Sequence, residues 1–109
     1  MHELAITDSL VAGVCERIED ARVTRVVLLI GSLSGVVPDA VRFCFDVCAK
    51  GTQLEGASLE IVEIPARGRC RDCGSHFDLQ DILTLCHCGS SNFEMLSGAE
   101  LKVQEVEVL

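Results

Sequence analysis

Four cysteines set in two close pairs, Cys70-x2-Cys73 and Cys86-x-Cys88, constrain this chain more than any other feature of its sequence. Thiolates two or three residues apart can both face one ion, and two such hooks enclose it tetrahedrally. Gly74 follows Cys73 and Gly89 follows Cys88. The backbone must turn sharply after the second Cys of each hook, and Gly enters left-handed conformations cheaply. The paired Gly residues therefore mark Cys73 and Cys88 as equivalent hook ends, the second hook being one residue shorter. This pattern predicts one structural zinc on Cys70, Cys73, Cys86 and Cys88. His76 or His87 stands by should the short Cys86-His87-Cys88 hook strain the tetrahedron. A redox Cys-x-x-Cys would want a strand-then-helix setting, which is missing here. No carboxylate base flanks the hooks as in hydrolytic zinc motifs, so the metal reads as structural.

The cysteine count places the chain. Seven is odd, and the start MHELAITDSL has no basic segment leading into an apolar run. Clustered Cys without a secretion signal points to a reducing, cytoplasmic setting and to metal chemistry rather than disulfides. No stretch approaches the roughly eighteen apolar residues of a membrane span. A formal charge of -8, from 9 Lys+Arg against 17 Asp+Glu, argues against nucleic acid, whose binders need a basic face.

Periodicity divides the 109 residues. Leu4, Leu10, Val11, Val14, Cys15 and Ile18 recur at helical spacing and predict a helix to about Asp20. Val23 to Ile30 is β-branched and apolar on both faces, as a central strand is. Gly31-Ser32-Leu33-Ser34-Gly35 is a loop, and Pro38 opens a second helix that Gly51 closes. Its predicted buried stripe is Val41, Cys44, Phe45 and Cys48. Ala57 to Ile64 reads as a strand stopped by Pro65. Arg67 to Asn92 shows little helix or strand pattern and needs a metal staple. Glu100 to Val108 alternates again, with a phase change near Glu105 that suits a bulge. The expected fold is α+β: a small sheet of about three strands with two helices, plus an inserted zinc-ribbon-like subdomain. The corresponding units are 1–66 with 98–109, and 67–97. Cys15, Cys44 and Cys48 fall on apolar stripes and read as small core residues, although Cys44 and Cys48, one turn apart, are spaced to chelate.

His2 opens the first helix. The Met1 amine, the His2 amide and the His2 imidazole can close fused chelate rings on one cation, a nitrogen set suited to Ni(II) or Cu(II). The alternative is a solvated chain end. Met1-His2-Glu3-Leu4 at the start, the loop Ile30 to Val36, and a late two-hook motif ending Cys88-Gly89-Ser90 together resemble the HypA/HybF family across essentially the whole chain. Cys86-His87-Cys88 departs from that family's usual Cys-Pro-x-Cys second hook.

The resemblance implies a nickel metallochaperone of [NiFe]-hydrogenase maturation, with transferable Ni(II) at the N-terminus and structural Zn(II) at the four Cys. It implies His2 as nickel ligand, helped by the Met1 amine and backbone amides, with Glu3 beside it and Asp39 as a further acidic position. It implies a HypB-type GTPase partner, the hydrogenase large subunit as recipient and, in some members, service to urease maturation. No nucleophile–base pair is visible, and Gly31 to Gly35 lacks the Gly-Lys-Ser/Thr of a phosphate loop, so the chain is not read as an enzyme. The rival readings are a rubredoxin-like iron electron carrier and a zinc-ribbon interaction module. Iron would make the protein red, and a nucleic-acid ribbon would want the basic stripe this chain lacks.

Overall fold

A computed structural model of the chain describes residues 2–81 and 83–109. Helix α1 (Glu3–Ile18) starts where the His2 carbonyl accepts the Ile6 amide at 2.9 Å. Strand β1 (Val23–Gly31) follows, then α2 (Pro38–Ala49), with Pro38 in the first turn, where its missing N–H costs nothing. Strand β2 (Ser58–Ile64) lies parallel to β1, the relation that a helical crossover permits. The last strand, named β6 (Leu101–Val108), lies antiparallel on the other side of β1, giving the order β2-β1-β6.

Both helices pack on one face of this sheet. Val11 and Val14 of α1, Phe45 and Ala49 of α2, and Val23 and Val26 of β1 form one buried cluster with Leu54. Leu28, Ile30 and Val41 form a second. Val27 and Leu29, on the sheet's other face, are also buried, which accounts for the uninterrupted apolar run in β1. In β6, Val27 pairs with Glu105 and Leu28 with Val103, so Gln104 is bulged out. The bulge turns the strand's phase, and Val103 and Val106 then pack against the same core although they are an odd number of residues apart.

Arg67 to Asn92, read as nearly patternless, contributes to a second sheet of order β4-β3-β5: β3 (Arg67–Cys70), β4 (His76–Asp78) and β5 (Phe93–Ser97). The strands are too short to show a period, and the inward positions of β3 are Gly68 and Cys70 rather than large apolar residues. Gly68 is there because Phe77 and Phe93 meet edge-on at 5.5 Å above it, where a Cβ would lie 3.2 Å from each ring. Outward, Arg67 pairs with Asp78 at 2.6 Å and Arg69 with Glu94 at 2.8 Å.

Leu4 departs from the expected apolar stripe and is exposed. The inward face of α1 is Glu3, Thr7, Val11 and Val14, and Leu4 lies a quarter-turn away from it. Cys15, Cys44 and Cys48, expected on buried stripes, are half-buried: Cys15 and Cys48 pack at the margin of the core, and on α2 Ala49 rather than Cys44 or Cys48 is buried with Val41 and Phe45.

The Gly31–Gly35 loop binds both chain segments that connect the two sheets, at Ala66 and at Gly98. The Ser32 amide donates to the Ile64 carbonyl at 2.9 Å and the Leu33 amide to the Gly98 carbonyl at 2.8 Å. The Ser32 hydroxyl accepts the Ala66 amide at 3.1 Å. Gly31 presses so closely on Gly98 that a Cβ would sit 2.2 Å from its carbonyl. Gly31→Ala must push the two backbones apart, and overpacking of this kind costs about 1–3 kcal/mol. Urea denaturation should show that loss. Wild-type stability in the variant would mean the contact is slack.

Candidate metal centre

Each cysteine hook is closed by the same two kinds of backbone bond. In the first, the Gly74 amide donates to the Cys70 carbonyl at 2.9 Å and the Cys70 amide to the Ser75 carbonyl at 2.9 Å. In the second, the Gly89 amide donates to the Cys86 carbonyl at 2.8 Å and the Cys86 amide to the Ser90 carbonyl at 3.1 Å. The missing residue is absorbed within the turn, so the shorter hook ends in the same geometry. Gly74 and Gly89 have φ of 78° and 88°, the left-handed conformation their position after the Cys calls for.

The four sulfurs lie within 4.8 Å of one another. Cys70 Sγ is 3.7 Å from Cys88 Sγ, and Cys73 Sγ is 3.5 Å from Cys86 Sγ. A tetrahedron with metal–sulfur arms of about 2.3 Å has edges of about 3.8 Å, so these separations fit one tetrahedral ion. No histidine is needed to complete the set. His76 is exposed on β4, and His87 Nδ1 lies 3.7 Å from Cys86 Sγ, outside the sulfur cluster.

The thiols differ in acidity. The Ser75 hydroxyl and amide hold Cys73 down to about 6. The Cys73 amide lowers Cys70. For Cys86, the Cys88 amide pulls downward, but burial and the neighbouring thiols outweigh it and push the group up to about 12. Cys88 is raised in the same way, against the pull of the Ser90 amide. Four thiolates this close repel one another, and a dication removes that repulsion while displacing the remaining protons.

The N-terminal candidates are placed differently. His2 is exposed at the start of α1 with no capping bond from its side chain. Glu3 is buried, and its carboxylate accepts the Val37 amide at 3.2 Å, tying α1 to the entry of α2. Asp39 is exposed and pairs with Arg42 at 2.7 Å. Met1, whose amine was expected to ligate, lies outside the described residues. Among the described residues, the four cysteines are the one group of three or more His, Cys, Asp or Glu side chains that converges.

Sequence reasoning overlooked Ser75 and Ser90, whose carbonyls close the hooks. The signal was present, because Cys-Gly-Ser occurs twice, at 73–75 and 88–90. The inward turn of Glu3 had no such signal, since its partner Val37 is 34 residues away.

A family model described as HypA, hydrogenase/urease nickel incorporation metallochaperone, matches residues 1–108. A relative from Nostoc punctiforme named hydrogenase maturation factor HypA is 52% identical over 108 residues, covering 99% of this chain and 96% of its own length. One of the same name from Geotalea uraniireducens is 50% identical over 109 residues, covering 99% of both. The solution structure of the Ni metallochaperone HypA from Helicobacter pylori superposes with a TM-score of 0.68 over 100% of this chain and 98% of that one. It is 24% identical, and the likeness there is one of fold.

Proposed function

The chain belongs to the HypA family of hydrogenase maturation factors, and from that premise we propose that it binds one transferable Ni(II) at its N-terminus and delivers it to the [NiFe]-hydrogenase large subunit. The four cysteines hold a structural Zn(II). The chain works in the cytoplasm beside a HypB-type GTPase, performs no catalysis itself, and in some settings serves urease maturation. Residues 1–66 with 98–109 carry nickel, and residues 67–97 carry zinc. Among the described residues no helix is long and apolar enough to cross a membrane.

One observation carries this reading. His2 stands exposed at the first turn of α1, outside both core clusters, while its neighbour Glu3 is fastened to α2. An imidazole held by a helix start, with the main-chain nitrogens beside it, offers open, nitrogen-rich ligation of the kind Ni(II) accepts. The cysteine cage is soft and closed, as zinc prefers. The two metals therefore have separate homes.

Nickel titrated into the zinc-loaded protein should bind at one equivalent without displacing zinc, read by metal analysis of the dialysed complex. Release of one zinc per nickel bound would overturn the two-site reading.

A further inference from the structure

We propose that the outer face of α2, together with the start of α1, is the surface on which the nickel-accepting enzyme docks, through an apolar patch of its own edged by cations. This rests on the delivery function proposed above. Phe43 and Val47, one turn apart on α2, are 74% and 55% exposed, and Leu4 and Val37 are 57% and 54% exposed. They lie away from the core-facing residues Val41, Phe45 and Ala49 of the same helix. A patch of such side chains, rather than a single bare one, marks a contact surface.

Their position adds the functional link. The Val37 amide is bonded to Glu3, and the Cys48 thiol donates to the Leu4 carbonyl at 3.9 Å, so α2 lies against the terminus that carries His2. Nickel moves between proteins by ligand exchange, which brings the acceptor's ligands within bonding reach of His2. The acceptor then covers Leu4 and Val37, and the α2 face continues that contact.

Charge selects the occupant. Asp8 and Asp46 flank the patch, exposed and without an ion pair among the described residues, while Arg42 is neutralised by Asp39 and Lys50 lies at the far end of α2. Outside residues 67–97 the chain has thirteen Asp+Glu against six Lys+Arg. A cationic rim complements this field and speeds encounter. A second copy would set the same carboxylates against each other on chains of charge -8.

The test measures affinity of the zinc- and nickel-loaded chain for nickel-free hydrogenase large subunit by biolayer interferometry, and nickel recovered in that subunit with the GTPase and GTP present. The double variant Phe43→Ser/Val47→Ser should bind at least tenfold more weakly and transfer correspondingly slowly, with zinc content, nickel affinity and helix signal unchanged. Asp8→Asn/Asp46→Asn should weaken binding and flatten its salt dependence. Wild-type affinity in the Ser variant overturns the docking surface. So does affinity lost for the GTPase alone, or a concentration-dependent dimer in sedimentation that the Ser variant abolishes. A wild-type chain that binds no nickel, or binds it and never transfers it, instead overturns the delivery function.

Discussion

Removal of the metal from the four-cysteine site, by Cys73→Ser or by a strong chelator, should unfold residues 67–97 while both helices and the first sheet persist. Zinc binding in small Cys sites is worth ~10–16 kcal/mol, and that free energy is folding free energy. Little else holds this segment. Its strands are 3 to 5 residues long, and around them, among the described residues, only Ala66, Cys70, Leu79 and Cys86 are buried apolar residues. A sheet that small is not stable alone in water. The helical half has its own core, with Val11, Val14, Val26, Phe45 and Leu54 independent of the hooks. Circular dichroism should therefore keep its helical signal, while backbone NMR resonances of 67–97 collapse to narrow dispersion. Acid acts in the same direction. Cys86, pushed up to about 12, and Cys88, also raised, hold their protons at neutral pH without metal, so zinc must displace them and its affinity falls as pH drops. Full zinc content and an ordered 67–97 in Cys73→Ser would sink the four-sulfur assignment.

His2→Ala should weaken nickel binding at least hundredfold, with zinc content, helix signal and thermal unfolding left as in the wild type. The separation is expected because His2 is exposed, contributes to neither core cluster, and only its carbonyl is used by the helix. One residue added before Met1 should do nearly the same damage, since it moves the amine out of chelating reach while keeping the imidazole. Both nitrogens must be unprotonated to ligate and the His2 amide must lose its proton, so nickel affinity should rise with pH. Isothermal titration at several pH values reads all of this. Unchanged nickel binding in both variants would show that the terminus is a solvated end, and the delivery function would lose its physical support.

The elements and the hooks are legible in the sequence because they depend on neighbours along the chain. The apolar period of α1 and α2, the two-faced apolar run of β1 and the Pro38 start need only local sterics and burial. The hooks were legible for the same reason, since Cys, Gly and a turn within a few residues fix where a sulfur points. The phase change in β6 announced its bulge, but its role, returning Val106 to the core, needed β1 alongside. The second sheet was missed because strands of 3 to 5 residues carry no measurable period.

By itself, then, the sequence determined what short-range chemistry can determine: the helices, the central strand, both thiolate hooks, and the Met-His-Glu start that marks the family. Tertiary structure alone decided that Gly31 lies on Gly98. It also decided that Glu3 turns inward to Val37, and that Phe45 is buried while Phe43, two residues earlier, is left bare. The physical reason is one of range. A residue's own preferences and its neighbours within a turn are written in the chain, whereas burial and long-range pairing depend on which distant surfaces the fold brings together.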